Sequence, residues 1–372
     1  MTHSKNFNAP IKSINYENQY NKNYMIRYEK ICNLIKLNEN HKVPVKIIAD
    51  VADECFVKGI LFLQSSKKLS IFNKDNEIDL SATNDHIDCY INEKCHYWIE
   101  DFSGKTEIIF NPLAESNLLT TGCVLGFLGN EKDGKFICNH VIYPEEAEGN
   151  CKNVEMDRKI LIFSNLLVNT NFEKILPILD FYSDQIDDVL FIGTVFDVEK
   201  DDWDFSRFSR IINQIKGKLY IVPGKEDPTS SFVPQNPLHP YLFVDNDKIV
   251  SLSNPGEIVI NGKNFIFADH KLIVKDIMRY KKNSTPITAL ELMLKSRQMC
   301  PSAPDTIPSI PFSDSDPFFI TKIDFLIGGG DTKTESKIVQ NKFLLAVPDF
   351  TKTNTAVILS MKDLKYEEIT IN

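Results

Sequence analysis

The sequence predicts a mixed protein of the α+β and α/β classes, in which a small β-barrel precedes a larger α/β domain. Between Val43 and Pro144, short apolar runs are separated by polar or glycine-containing turns, which is the pattern of a small barrel. From Ile160 onward, apolar runs alternate with helical segments, which indicates βαβ units and a parallel sheet. The stretch between them, EEAEGNCKNVEMDRK, is acidic and then mixed, as is typical of a domain boundary.

The composition is that of an ordinary globular protein, with 42% hydrophobic and 25% charged residues among 372. A net charge of −9 argues against a nucleic-acid surface spread over the whole molecule and leaves room for a local basic patch. No apolar run approaches the ~18 residues that a membrane span needs, and the N-terminus lacks an apolar signal region, so we expect no membrane partner and no secretion. The eight cysteines form no Cys-x-x-Cys pair, which favours reduced thiols in the cytosol or nucleus.

The N-terminal region is predicted to be a disordered tail followed by one helix. Residues 1–22 are rich in Asn, Lys and Tyr and show little periodicity. Within residues 23–42, apolar side chains recur at helical spacing from Tyr24 to about Leu37 and predict a packing helix.

Residues 43–148 are predicted to form an OB-like barrel. The strand-like runs are VPVKIIADV, CFVKGILFLQ, CHYWIEDFSG, TEIIF, GCVLGFLGN and KFICNHVIYP. Residues 101–104 and 130–134 have the composition of hairpin turns. Short, regularly spaced strands favour a Greek-key barrel of the OB type, and another small β domain is the alternative.

Residues 149–372 form the second predicted domain. Its first three strands are KILIFSNLL, DVLFIGTVFD and KLYIVPG, with helices predicted at about 171–185 and 204–216 between them. Later strand-like runs are EIVINGKNFIFAD, KIDFLIGGG, KFLLAVPDF and TAVILSMK, and a helix is predicted over Pro286–Ser296. Residues 301–317 are a proline-rich loop without a regular period, which is long enough to suspect a function.

The ends of the first three strands of this domain are where a ligand site is expected, because ligands of open α/β sheets usually bind at the carboxyl ends of strands. These ends read Ser164-Asn165-Leu166, Gly193-Thr194-Val195-Phe196-Asp197 and Gly224-Lys225-Glu226-Asp227. Their order and spacing resemble the calcineurin-like metallophosphoesterases. The corresponding motifs of that family are Asp-x-His, Gly-Asp-x-x-Asp and Gly-Asn-His-Asp or Glu, followed by Gly-His-x-His. Such residues hold two divalent ions about 3.5–4 Å apart.

The metal-holding residue types are replaced at these positions. The Asp and His of the first motif are replaced by Ser164 and Leu166, and the bridging Asp of the second is replaced by Thr194. Residues 328–331 read Gly-Gly-Gly-Asp where the family has Gly-His-x-His. Lys225 and Glu226 stand for Asn and His, and a charged lysine has no lone pair for a metal. The carboxylates left are Asp197, Glu226 and Asp227. They could form a residual single-metal site, but capping of turns is the favoured interpretation.

Three further stretches extend the resemblance to a more specific family. Residues 223–239 read PGKEDPTSSFVPQNPLH, residues 301–318 carry Pro-Ser-Ala-Pro-Asp-Thr and Asp-Pro-Phe, and residues 347–350 read Val-Pro-Asp-Phe. In these motifs the chain resembles the small B subunits of replicative DNA polymerases, most closely those of the delta type. The barrel half resembles them more weakly, through Ile99-Glu100-Asp101 and the segment from Thr121-Gly122 to Gly129.

The resemblance implies an OB fold joined to an inactivated calcineurin-like phosphoesterase domain, a two-sheet α/β sandwich, in a non-catalytic nuclear scaffold subunit. Its implied partners are the C-terminal domain of the catalytic subunit of DNA polymerase delta and a third accessory subunit. The sliding clamp and DNA would be reached indirectly. No cofactor is expected in this chain, because the resemblance assigns a cysteine-bound metal module to the catalytic partner.

The two proline-rich loops, 229–240 and 301–317, are the segments from which a partner surface could be built. Their polar residues Gln235, His239, Asp305 and Asp316 are the candidate interface residues. The alternative is that these rigid loops only brace the domain.

Two weaker patterns lie in the barrel. His86, Cys89, Cys95 and His96 could form a zinc site, but their spacing matches no finger pattern, and a buried thiol with surface imidazoles is the favoured interpretation. Tyr97, Trp98 and Phe102 could stack on bases of single-stranded DNA, but the neighbouring acidic residues make core packing the favoured interpretation. Two rival functions therefore stay open: an active phosphoesterase or 3′–5′ exonuclease, and a stand-alone single-strand-binding protein.

Overall fold

A computed structural model describes residues 20–38, 42–68, 87–115, 118–196, 205–243, 246–310 and 316–371. A closed barrel forms the N-terminal part, and two stacked sheets with flanking helices form the rest. None of the helices within these ranges has the length and apolar composition that a membrane span requires.

The N-terminal part is an OB-fold barrel of five strands. Its strand order is β2-β3-β4-β6-β5, and β5 pairs back with β2, which closes the barrel. All neighbours are antiparallel except β4 and β6. The elements are α1 (Tyr20–Cys32), β1 (Val45–Lys46), β2 (Cys55–Gln64), β3 (His96–Asp101), β4 (Gly104–Phe110), α2 (Pro112–Glu115), β5 (Val124–Lys132) and β6 (Lys135–Ile142).

Glycine permits the close approach of β5 to β6. The register of this pair shifts between Leu128 and Gly129. A Cβ atom on Gly129 would lie 2.0 Å from the carbonyl oxygen of Ile137, so only glycine fits there. Such an irregularity bends a strand and helps a barrel to close.

The second part is a sandwich of two sheets. One sheet has the order β10-β9-β8-β7-β16-β17, with β7 to β10 parallel, and the other has the order β11-β12-β13-β15-β14. The predicted parallel sheet with alternating helices is confirmed. The elements are β7 (Lys159–Ser164), α3 (Val168–Tyr182), β8 (Asp188–Ile192), α4 (Phe205–Gln214), β9 (Leu219–Val222), β10 (Ile249–Ser251), β11 (Gly256–Ile260), β12 (Lys263–Ala268), α5 (Lys275–Met278), α6 (Pro286–Ser296), β13 (Phe325–Gly329), β14 (Glu335–Val339), β15 (Lys342–Val347), α7 (Phe350–Thr353), β16 (Thr355–Ser360) and β17 (Lys365–Thr370).

Apolar residues fill three layers of this sandwich. Between the sheets, the rings of Phe265 and Phe325 stack with centroids 4.5 Å apart. Helices α3 and α4 cover the outer face of the first sheet. Helix α6 belongs to a cluster of buried side chains that also includes barrel residues such as Phe127, so the barrel and the sandwich share one continuous core.

The predicted helices differ from the observed ones mainly at their ends. Helix α6 has the predicted bounds, because Thr285 forms a capping box and Pro286 starts the helix. Helix α1 begins inside the segment predicted to be disordered, at Tyr20, and ends at Cys32 instead of Leu37. Residues 1–19 of the predicted tail lie outside the described residues. After α1 the chain turns, and Ile35 still packs on the barrel although it is no longer helical.

A buried ion pair fixes α1 to the second proline-rich loop. The guanidinium of Arg27 binds the carboxylate of Asp316, with Nε and Oδ2 3.1 Å apart, and donates to the carbonyl oxygen of Pro301. Both charged side chains are almost completely buried. Helix α1 therefore ties the barrel to the sandwich.

Candidate functional site

The candidate site is the set of polar residues where strands of the two sheets end, and the sequence predicts the part that the first sheet contributes. We call the side chains of Ser164, Thr194, Glu226, Asp227 and Asp269 the strand-end cluster. The first sheet supplies the first four, Ser164 as the last residue of β7 and the other three after β8 and β9, and the second sheet supplies Asp269 after β12.

At the end of β7, Ser164 and Leu166 pack inside the protein. The amide of Leu166 donates to the carbonyl oxygen of Thr194 at 2.8 Å, and its side chain is buried in the apolar layer of α3 and α4. Ser164 is also buried and lies directly against Gly329, the last residue of β13. Leu166 is therefore a packing residue whose side chain lies in the apolar layer under α3 and α4.

Thr194 and Glu226 are joined to a lysine that the sequence analysis did not single out. The hydroxyl of Thr194 donates to Oε2 of Glu226 at 2.8 Å, and Nζ of Lys271 lies 2.7 Å from the same oxygen. Partial burial opposes ionisation of Glu226, but the hydrogen bonds from Lys271 and Thr194 outweigh it and, with the nearby charge of Lys225, keep the pKa of Glu226 below its ordinary value. The carboxylate is thus already neutralised from within the chain.

Asp227 caps the turn that follows β9, as the turn interpretation predicts. Its carboxylate accepts hydrogen bonds from the backbone amides of Val195, Phe196 and Gly224 at 2.8–3.1 Å. Burial raises the pKa of Asp227 to about 7, although these amides favour the charged form. Asp197, the other carboxylate of the proposed residual metal site, lies outside the described residues.

Asp269 belongs to a buried network that the sequence analysis missed. The amide group of Asn254 donates to Asp269 at 2.7 Å and to Oε1 of Gln235 at 3.2 Å, and Gln235 donates to the carbonyl oxygen of Gly224 at 2.7 Å. Burial raises the pKa of Asp269 to about 6. Gln235 is completely buried, so its prediction as an interface residue is wrong: its amide holds the loop against the turn at Gly224.

The next residue, His270, is a second missed member of this region. Burial lowers the pKa of His270 to about 4, so the ring is neutral near pH 7, and its Nδ1 has no hydrogen-bond partner among the described residues. Asp331 pairs with Lys352, whose hydrogen bond lowers the pKa of Asp331. An apolar strand run that ends in Asp-His, as FIFADH does, is the signal that could have identified this position.

Within the described residues, no three His, Cys, Asp or Glu side chains are close enough to share one metal ion. The carboxylates that the geometry brings together are instead engaged with backbone amides, amide side chains or lysines. This arrangement stabilises the meeting point of the two sheets.

The other candidate interface residues have different surroundings. His239 is exposed, and its ring lies 4.7 Å from that of Tyr241, which is 90% exposed. Asp305 is partly buried and pairs with Lys68. The carboxylate of Asp316 is buried and forms an ion pair with Arg27. The prediction of Asp316 as an interface residue is therefore wrong.

Two candidate residues of the zinc pattern have other contacts in the structure. Nδ1 of His96 lies 2.7 Å from Oε1 of Glu107, and Cys95 Sγ accepts a hydrogen bond from the amide of Asn92. His86 lies outside the described residues, and Cys89 is a partly buried free thiol.

The three barrel aromatics have separate surroundings. Tyr97 packs edge-on against Phe110 with centroids 5.4 Å apart, and Trp98 donates to Gln64 at 3.1 Å. Phe102 is 73% exposed, so core packing is wrong for this residue. It sits in the tight turn between β3 and β4, where the chain directs its ring outward.

Comparison with known families matches both parts of the chain. Residues 19–141 match the family described as the DNA polymerase delta subunit OB-fold domain. Residues 169–335 match the family described as the B subunit of DNA polymerases alpha and epsilon. The two matches correspond to the barrel and to most of the sandwich.

Individual relatives agree with these families. The chain is 25% identical over 341 residues to the DNA polymerase delta small subunit of Saccharomyces cerevisiae, covering 74% of this chain and 70% of that protein. It is 28% identical over 155 residues to the DNA polymerase delta small subunit of Oryza sativa subsp. japonica, where the match covers 39% of this chain and 36% of the plant protein.

The solved structures that match this chain share little sequence with it. An archaeal phosphodiesterase is 13% identical, with a TM-score of 0.36, over 57% of this chain and 99% of that one. Vacuolar protein sorting 29 from Cryptosporidium parvum is 12% identical, with a TM-score of 0.31, over 58% of this chain and 97% of that one.

Proposed function

We propose that this chain, which belongs to the B-subunit family of replicative DNA polymerases, is a non-catalytic scaffold subunit of a delta-type DNA polymerase. In this role it would hold the C-terminal domain of the catalytic subunit and connect it to a third accessory subunit. The sliding clamp and DNA would be reached through these partners. The proposed location is the nucleus, where replication takes place.

The observation that carries the non-catalytic part of this proposal is the use of the strand-end cluster within the chain. Asp227 accepts hydrogen bonds from three backbone amides, and Glu226 forms an ion pair with Lys271 and accepts a hydrogen bond from Thr194. Two-metal hydrolysis needs carboxylate and imidazole lone pairs directed at the ions. A carboxylate that already accepts several amide hydrogen bonds, or that is paired with a lysine, is a poor ligand for a metal ion.

The thiols of this chain bear on where the metal module of the complex lies. The cysteines of this chain are free thiols, and five of the eight are buried. Burial raises the pKa of Cys138 to about 12, which disfavours the thiolate that a metal requires. We therefore propose that the cysteine-bound metal belongs to the catalytic subunit.

Co-purification with the catalytic subunit tests the scaffold function. The full chain is expressed with the full-length catalytic subunit and, as a matched control, with a variant that lacks its C-terminal cysteine-rich module. We expect a stable complex in equal amounts with the first and separate elution with the second. Separate elution in both cases would overturn the proposal.

A further inference from the structure

An open apolar groove lies between helix α1 and the barrel. Its volume is about 560 Å³. Helix α1 forms one wall, and strands β2 and β3 with the turn after β3 form the other. The apolar and aromatic residues that line this α1–barrel groove are Tyr24, Met25, Tyr28, Ile60, Phe62 and Phe102.

The groove concentrates large apolar side chains that water can reach. Met25 is 47% exposed, Phe62 is 41% exposed and Phe102 is 73% exposed. Single exposed apolar residues are common on protein surfaces, but aromatic residues and methionines clustered in one concavity are characteristic of the core of an interface.

The walls of the groove are held rigidly from behind. The buried ion pair of Arg27 with Asp316 anchors α1, and the hydroxyl of Tyr28 donates to the carbonyl oxygen of Lys58 at 3.1 Å. The turn that carries Phe102 is fixed by Asp101, whose carboxylate accepts from the amides of Ser103 and Gly104. A preformed site of this kind binds without a large ordering cost.

The charge of the groove selects its occupant. Glu100 is exposed on the lining and has no cationic partner among the described residues, whereas no lysine or arginine lines the groove. Lys105 is the cross-strand partner of Glu100, but its Nζ lies 5.3 Å from the centroid of the Trp98 ring. Lys68 lies 5.0 Å from the centroid of the Phe62 ring and pairs with Asp305, and Arg27 pairs with Asp316. An acidic lining repels a nucleic-acid strand and attracts a basic side chain.

We propose that the α1–barrel groove binds an amphipathic segment of a partner protein. The segment would insert bulky apolar side chains between Met25, Phe62 and Phe102 and place a lysine or arginine opposite Glu100. The inference rests on the proposed function, since the partner is another subunit of the same assembly. It adds the position and the chemistry of one docking site.

Site-specific photocrosslinking in the assembled complex tests the inference. The photoreactive amino acid benzoylphenylalanine replaces Phe102 in the full chain, and for comparison it replaces Phe181, which is 71% exposed on α3. We expect position 102 to crosslink to a partner peptide that contains bulky apolar residues and a lysine or arginine.

The outcomes separate the inference from the proposed function. An intact complex without a partner crosslink at position 102, or with crosslinks only to residues 1–19 of this chain or to a second copy, would overturn the inference alone. A crosslink to a labelled single-stranded oligonucleotide would overturn it as well. Failure of the complex to assemble would overturn the proposed function and the inference with it.

Affinity measurements on variants supply the second readout. Phe102→Ala and Glu100→Lys are each expected to weaken binding of the crosslinked partner about tenfold or more, as central interface residues do. The Glu100→Lys loss should shrink at high salt, because it acts through charge. Phe181→Ala serves as the matched control and is expected to bind like the unmodified chain. Equal affinity of all three variants would contradict the inference.

Discussion

The strand-end cluster and the α1–barrel groove use their side chains in opposite ways. In the cluster, Thr194, Glu226 and Asp227 are engaged with other groups of the same chain. In the groove, Phe102 and Glu100 face solvent without such partners among the described residues. The strand-end cluster, which resembles an enzyme site, uses its polar groups for contacts within the chain. The α1–barrel groove, which has no catalytic residue types, leaves its side chains available to bind a partner.

The largest change in the free energy of unfolding is expected from the ion pair of Arg27 with Asp316, which anchors α1 behind the groove. Arg27→Ala would leave the carboxylate of Asp316 buried and unpaired, which costs about 3–5 kcal/mol in the free energy of unfolding. Urea denaturation of the full chain measures it. Lys22→Ala, an exposed substitution on the same helix, is the control and should have little effect. Equal stability of the two variants would show that the ion pair does not anchor α1.

The second effect is a pH dependence that arises in the strand-end cluster. The pKa of Asp227 is about 7 in the folded chain, above the ordinary value, so the folded state binds the extra proton between about pH 4 and pH 7. This contribution to the free energy of unfolding is complete below about pH 4 and is lost as the pH rises through 7. At about 1.4 kcal/mol for each pKa unit, the loss is up to about 4 kcal/mol.

Asp227→Asn removes this titration and isolates it from other groups. His270 acts in the opposite direction over part of the range, because its lowered pKa makes stability rise as the pH rises through its unfolded value. The difference in unfolding free energy between the original chain and the variant should therefore decrease from pH 4 to pH 7. A difference that stays constant with pH would contradict the assignment.

A smaller effect is expected from the hydroxyl of Thr194. Thr194→Val removes the hydrogen bond to Glu226 while keeping the shape of the side chain, and should cost about 1 kcal/mol. Denaturant unfolding measures it, with Thr332→Val at an exposed position as the control. A cost no larger than that of the control would mean that this bond contributes nothing to the cohesion of the cluster.

The smallest effect on stability is expected in the groove. Phe102→Ala should change the free energy of unfolding by no more than about 0.5 kcal/mol, since surface substitutions rarely do more. Phe127→Ala, in the barrel core, should cost about 3–5 kcal/mol in the same assay. A large loss for Phe102→Ala would show that its ring supports the fold, and the contrast between the two regions would disappear.

Local sequence signals predicted much of the fold. Thr285 and Pro286 set the start of α6, and the uninterrupted apolar runs of β7 to β9 indicated buried parallel strands. The end of α1 was mispredicted because the apolar residue Ile35 continues the helical spacing, although it packs on the barrel from a turn.

The site was predicted in position but not in its contacts. The strand ends located Thr194 and Asp227, whereas the network of Gln235, Asn254 and Asp269 depends on residues far apart in the chain. The pairing of Arg27 with Asp316 spans 289 positions and leaves no spacing pattern. Burial of a polar loop residue is decided by such contacts, and this is why Gln235 and Asp316 were mistaken for surface residues.

The most direct test of the central claim, that the strand-end cluster serves cohesion and not metal-dependent hydrolysis, is a nuclease assay. The purified full chain is incubated with Mn²⁺ and end-labelled single-stranded DNA, beside the Asp227→Asn variant purified in the same way. We expect no turnover above the buffer control for either protein. Steady hydrolysis by the original chain that is lost in Asp227→Asn would contradict it.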